Sequence, residues 1–295
     1  MNFLLILVCL GSGFLLRRFG VVKAGAHLGI NAWLVYLAVP AAALFYVPKI
    51  TWSMEMIWPM VSPLLVFALA WLFMGPLVKS DRPTRGALLL GCGLANTSFV
   101  GFPLNLAYYG EPGLKIAVVC DQISFLLLST VGVGVAIAHG QGERLRSPLT
   151  SLLRFPPFLA FATALLLPDL VSFGELPKLW SALAATLVPV ALFSVGIQID
   201  PEEADHDRRI LGWAILVKLL LIPAVIAGLF LLLGAEGLTA KVSVMEAAMA
   251  TMATTSVLAV EYGLNARLIS VLIGVGVPIS LATSYLWYRV LDWLF

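Results

Sequence analysis

Charge is what this sequence has least of. Asp, Glu, Lys and Arg together make up 12% of its 295 residues and hydrophobic residues 61%, whereas soluble globular chains carry about 25% and about 45–50%. A water-soluble fold is excluded on that balance. The apolar residues come in runs of about 18 or more, not in the alternating segments of about 10 that a transmembrane β-barrel requires. The chain is also short of the residues that build catalytic and metal centres. Its three cysteines, Cys9, Cys92 and Cys120, are far apart and sit inside apolar runs, which suits neither a disulfide framework nor a zinc site and suits packing. The three histidines, His27, His139 and His206, fall in expected loops, so no metal centre or proton relay is built on them. There is no HExxH, no GxSxG and no paired acidic motif, and Asp121 is the lone aspartate at its depth; an intramembrane enzyme is therefore the least favoured class. No cofactor, metal or nucleic acid is expected.

What remains is an all-α polytopic membrane protein. Apolar runs bounded by charged or turn residues place ten spans at 3–16, 29–47, 57–78, 84–108, 113–138, 151–168, 177–199, 210–234, 240–262 and 266–292. At about 20 residues per span no room is left for a soluble domain. The first segment, MNFLLILVCLGSGFLLRR, lacks the basic residues that precede the apolar part of a secretory signal and is expected to stay as the first helix. Twelve basic residues lie on the side that follows the odd-numbered spans: Arg17, Arg18, Lys23, Lys79, Arg82, Arg85, Arg144, Arg146, Arg154, Arg208, Arg209 and Arg267. Five lie on the other: Lys49, Lys115, Lys178, Lys241 and Arg289. The excess marks the cytoplasmic side, so both termini are expected outside the bilayer.

The two halves of the chain resemble each other. A slide of 153 residues lays YGEPGLKIAV (109–118) on YGLNARLISV (262–271), and a slide of 148 or 149 lays VPAAALF (39–45) on VPVALF (188–193). Residues 1–138 and 151–295 then form two five-span repeats joined by a cytoplasmic connector at 139–150. An odd number of spans per repeat inserts the second repeat upside down, the pattern of secondary transporters whose site lies at the repeat interface.

Two spans carry polar interruptions. GCGLANTSFVGFPLNLAYYG (91–110) places Asn96, Thr97, Ser98, Gly101 and Pro103 in mid-span, and TMATTS (251–256) places Thr251, Thr254, Thr255 and Ser256 in the ninth. Proline removes a backbone donor, and Asn, Thr and Ser bond the freed groups. If both helices break, two half-helix N-termini at the midplane attract an anion, and irregular backbone at that depth survives only inside protein or against a watery cavity. The plainer alternative is a hydroxyl-stabilised kink with no ligand.

Charged groups inside spans are functional candidates because insertion of one costs about 2.5–3.5 kcal/mol at mid-bilayer. Asp121, followed by Gln122, falls in the fifth span and Lys218 in the eighth, with a height difference of about 12 Å at 1.5 Å per residue. Asp121 is expected to couple transport to H+ or Na+, with Lys218 supporting it or the substrate. The alternative has Lys218 snorkelling to the inner surface and Asp121 bonded to Gln122 or Ser124. Glu246 is expected at an outer vestibule or a solvated helix end, and the acidic 200–209 segment as a solvated turn.

NTSFVGFPLNLAYYG (96–110), LVPVALFSVGIQI (187–199) and AVEYGLNARLISVLIGVGVPISLATSYLWY (259–288) resemble the signature segments of the auxin efflux carrier family, which includes bacterial organic-anion carriers and plant auxin exporters. The resemblance implies the ten-helix fold shared with bile acid/sodium symporters, with broken fourth and ninth helices crossing at the binding site. It further implies a scaffold of the first, second, sixth and seventh helices, through which the protein can form a homodimer, and six other helices that move against it as an elevator. Asn96, Thr97, Gly101 and Pro103 then carry over as crossover residues, and Glu261 and Tyr262 as the family's Glu-Tyr pair at a gate or vestibule. The long loop of many plant exporters is missing, which suits a bacterial inner-membrane member. The implied substrate is a small organic anion, a carboxylate or auxin-like acid, moved by a carrier; an anion channel or uncoupled facilitator is the alternative. Sodium/proton antiporters of similar architecture keep acidic groups on the equivalent fifth helix and a lysine on the equivalent eighth, a likeness of fold only.

Overall fold

In hydrocarbon the backbone has no water to bond, so long apolar runs close their N–H and C=O groups within helices. The structure, a computed structural model, describes residues 2–23, 25–75, 80–141, 156–199 and 208–295. Lys79, Arg144, Arg146, Arg154, the 200–207 segment, the start of the sixth expected span and all but 139–141 of the connector lie outside them. Apart from one turn of helix at Pro168–Val171, the helices among the described residues are α1 (Asn2–Arg18), α2 (Ala26–Lys49), α3 (Met54–Met74), α4 (Arg82–Gly93), α5 (Thr97–His139), α6 (Pro156–Leu166), α7 (Leu176–Gln198), α8 (Arg209–Leu232), α9 (Gly237–Ala247), α10 (Thr255–Glu261) and α11 (Ala266–Leu294). Six of them, α2, α3, α5, α7, α8 and α11, are long and apolar enough to cross a membrane. Among the described residues there is no strand, and the sole extended pairing is one antiparallel bridge, Ala95 with Thr251.

Sequence chemistry accounts for the irregularities. The expected spans at 84–108 and 240–262 are each interrupted in the middle, at 94–96 and 248–254. Within α5 two helices are joined at Gly110, whose φ of 69° and ψ of −162° turn the chain sharply just before Pro112; glycine adopts that φ without a Cβ clash. The glycine that the 153-residue slide matches to it, Gly263, also has a positive φ, 66°. Wide π-turns at Leu34–Ala38, Thr97–Gly101 and Val217–Leu221 each precede a proline by one residue or so, at Pro40, Pro103 and Pro223. A proline offers no N–H to the turn before it, and a widened turn takes up the mismatch.

Two groups of helices emerge from the packing. α1 lies along the second half of α7, and α2 packs on α6 and on the first half of α7. Gly13 and Gly196 sit at the first of these contacts. A Cβ on Gly196 would strike the Leu10 carbonyl and come within 3.0 Å of Phe14 N and 3.1 Å of Gly13 Cα, so only small residues allow the backbones this close. Polar bonds cross the same group: Arg17 to the Ile197 carbonyl at 2.6 Å, Ser194 to Asn31 Oδ1 at 2.5 Å and Trp33 Nε1 to Thr186 Oγ1 at 3.1 Å. The second group gathers α3, α8, α9 and α11 around α4 and α5, with Gly86–Gly93 of α4 and residues 94–105 buried on every side. The groups meet where the second half of α7 contacts Thr97–Gly101. Asn265 caps α11 by accepting from Leu268 N at 3.0 Å and ties it to α4 through Thr84 Oγ1 at 3.0 Å. Asn265→Ala is expected to cost about 1 kcal/mol, the usual value of such a cap, seen as a small fall in melting temperature in detergent.

Candidate functional site

The two interruptions meet each other. Asn96 N donates to the Ala250 carbonyl at 2.8 Å and Met252 N to the Leu94 carbonyl at 3.0 Å, on either side of the Ala95–Thr251 bridge. Each break therefore satisfies the other's backbone groups, the only economical arrangement for non-helical chain at this burial. Side chains close the remaining helix ends. Thr251 Oγ1 donates to the Gly91 carbonyl at the end of α4 at 2.8 Å, and Asn96 Oδ1 accepts from Phe99 N at the start of α5 at 3.2 Å. Lys218, 2% exposed, extends its ammonium to the carbonyl of Ala247, the last residue of α9, at 3.4 Å. A cation there complements the negative end of the helix dipole. Thr255 and Ser256 turn back onto the Met252 and Ala253 carbonyls at 2.6 and 2.7 Å, and Thr254 precedes α10 half-buried. Thr251→Val, which keeps shape and removes the hydroxyl, leaves the Gly91 carbonyl without this donor. The expected cost is about 1–3 kcal/mol, read as a lowered melting temperature that Thr251→Ser restores.

Asp121 is fully buried and accepts from Thr97 Oγ1 at 2.5 Å and Ser98 Oγ at 2.7 Å, both on Oδ1. Those two residues form the first turn of α5, where the helix dipole favours negative charge. Asp121 and Lys218 thus bind opposite kinds of helix end rather than each other. Neither alternative from the sequence describes them: Lys218 does not reach the surface, and Asp121 bonds to α5's first turn rather than to Gln122 or Ser124.

Glu246 is 1% exposed, far from the vestibule or solvated helix end expected of it. Its Oε1 accepts from Asn105 Nδ2 at 2.7 Å, and the same amide nitrogen donates to the Gly101 carbonyl at 3.0 Å. The carboxyl lies against Gly101, where any Cβ would collide with it. Gly101 is thus the seat of Glu246 in this structure. Pro103, also buried, stands one turn further along. Asn105 is a site residue that sequence reasoning missed. The available signal was its position four residues after Gly101, a polar side chain on the same helical face of an apolar run.

Several buried polar atoms in this cluster have no hydrogen-bonding partner: Asn96 Nδ2, Asn105 Oδ1, Asp121 Oδ2, Glu246 Oε2 and both side-chain polar atoms of Gln122. Native interiors leave few such atoms, and a concentration of them marks a place for a ligand, an ion or water. A narrow recess with room for about one water molecule borders it, lined by Ser62, Val66, Leu94, Thr97, Ser124 and Glu246 among others. Among the described residues no group of three or more His, Cys, Asp or Glu is arranged to hold a metal ion. Glu261 and Tyr262 are not part of the cluster. Glu261 is exposed at the end of α10, and buried Tyr262 accepts from Gln141 N at 3.0 Å through its carbonyl, where Gly140 approaches too closely for any side chain.

A family model described as a membrane transport protein matches residues 1–152 and 145–288. A protein of Methanocaldococcus jannaschii named an uncharacterized transporter is 28% identical over 303 residues, covering 96% of this chain and 96% of the relative. One of Methanothermobacter thermautotrophicus with the same description is 26% identical over 298 residues, covering 97% and 96%.

Proposed function

The chain belongs to the membrane transport protein family, that of the auxin efflux carriers, and from this premise we propose that it is a secondary carrier for a small organic anion held where the fourth and ninth spans cross. The observation that carries this reading is Asn96 Nδ2, a buried donor with no partner at the point where the two broken segments pair. A carboxylate is the natural acceptor for it, with the start of α5 supplying favourable dipole charge. On this reading α1, α2, α6 and α7 are the scaffold, the remaining helices carry the site past it, and the ten spans form two inverted repeats about the crossing. The mutual capping of the two breaks supports a crossing that moves as one rigid unit. The matched positive-φ glycines, Gly110 and Gly263, support the duplication. The charge bias supports both termini outside, and the family resemblance supports a bacterial inner membrane and a homodimer through the scaffold.

A thermal-shift screen of purified protein against mono- and dicarboxylates and indole acids, with and without sodium and at two pH values, identifies the ligand. Asn96→Ala is expected to weaken its affinity roughly 10- to 100-fold, the equivalent of about 1.5–3 kcal/mol for a hydrogen bond to a charged group. An undiminished shift in that variant would remove Asn96 from the site. Saturable counterflow in proteoliposomes separates a carrier from a channel.

A further inference from the structure

Glu246 and Asn105 share one hydrogen bond and own two of the partnerless atoms, Glu246 Oε2 and Asn105 Oδ1. Both are acceptors when the carboxyl is ionised, so the pair cannot complete itself. A proton on Oε2 changes that at one stroke. The acid would then carry a donor on Oε2, the kind of hydrogen that the partnerless Asn105 Oδ1 accepts, while Oε1 goes on accepting from Nδ2. The three buried charged side chains of the cluster point the same way. Asp121 has two hydroxyl donors and the first turn of α5 to hold its charge, and Lys218 has the end of α9. Together they are neutral. Glu246 lies in the last turn of α9, where the helix dipole opposes a carboxylate, and its sole polar partners are an amide and whatever fills Oε2. A second anion buried beside a neutral pair is costly unless something neutralises it. Among the described residues, the titratable groups within electrostatic reach of it are Asp121 and Cys120 on α5 and Lys218 on α8, while α3 contributes only hydroxyl and apolar groups to the recess.

We infer that Glu246 is a proton-binding site, occupied at neutral pH and paired with Asn105, while Asp121 remains ionised. The proposal deepens the carrier reading and rests on it for one clause only: if the protein is a carrier, a coupling proton rides on Glu246, and Asp121 is the fixed charge that holds the crossing. The fit of Gly101 around the carboxyl gives the site its shape, because a side chain at 101 would displace the acid from its amide.

Infrared spectroscopy of the reconstituted full-length protein tests this without needing a substrate. A protonated carboxylic acid has a carbonyl stretch that a carboxylate lacks. At neutral pH in choline buffer the wild type is expected to show such a band. It should move when glutamate is labelled with carbon-13 in its side-chain carboxyl and stay in place when aspartate is so labelled. Glu246 is the sole buried glutamate among the described residues, so the label assigns the band, and Glu246→Gln should abolish it while Asp121→Asn leaves it. If Glu246→Gln fails to fold, the labelling of the wild type still decides. Absence of the band, its movement with labelled aspartate, or its loss when sodium replaces choline would overturn the proposal, the last by making this a metal-cation site. A clear glutamate band in a protein that shows no saturable counterflow would instead sink the carrier reading and leave the proton site standing.

Discussion

Asp121→Asn is expected to reduce transport of the organic anion by about 10- to 100-fold while the protein still folds. The carboxylate accepts two short bonds from Thr97 and Ser98, and bonds to a charged group are worth about 1.5–3 kcal/mol each. Asparagine preserves one acceptor oxygen and the volume, so the first turn of α5 can stay in place, but the charge that balances Lys218 is gone. An ammonium buried without its counter-charge destabilises whichever state keeps it dry, and a carrier that must pass through both states is slowed. The measurement is uptake into proteoliposomes at several pH values. A rate and a pH dependence both equal to wild type would remove Asp121 from the mechanism. A lower rate with an unchanged pH dependence agrees with a fixed charge here and a proton on Glu246.

Gly196→Ala is expected to be among the most destabilising single-methyl changes in the chain, about 3 kcal/mol or more and several degrees in melting temperature. Overpacking costs about 1–3 kcal/mol where side chains can give way. Here the new methyl meets the Leu10 carbonyl, Phe14 N and Gly13 Cα, all backbone, so α1 and α7 would have to separate along their length. Gly13→Ala meets the Phe193 carbonyl and Ile197 N from the other side and should behave alike. The two substitutions share one contact, so the double variant should lose less than the sum. Thermal melts followed by size exclusion in detergent read both. Melting unchanged from wild type would mean that α1 and α7 are not held this closely, and the scaffold reading would lose its firmest contact.

Particular residues show where sequence reasoning reached and where it stopped. Glycine, proline and hydroxyl residues in mid-span pointed to the break at 94–96, whereas the hydroxyl residues at 251–256 left a break and a plain kink both open, and the structure has the break at 248–254. The partners of the breaks were not legible: that Asn96 bonds to Ala250 and Met252 to Leu94 depends on two segments about 155 residues apart arriving at one place. Asp121 and Lys218 were legible as charges too deep to be incidental. Their partners were not, since depth along a helix says nothing of which neighbour a side chain turns to. Glu246 illustrates the limit most clearly. Six residues into a span it reads as near the surface, yet α9 is short, and its end is buried among α3, α5 and α8.

Sequence alone determined that this protein lives in a membrane, that two of its spans carry polar interruptions and that two charges lie at depth. Each of these is a local property, set by what a stretch of chain can do with its own backbone and with lipid. Only the tertiary structure decided that the breaks cap each other, that Lys218 serves the end of α9 rather than Asp121, and that Glu246 is enclosed against Gly101 and Asn105. Those are contacts between residues remote in the chain. In a low-dielectric interior the direction in which a polar group faces governs its chemistry more than its position along a span.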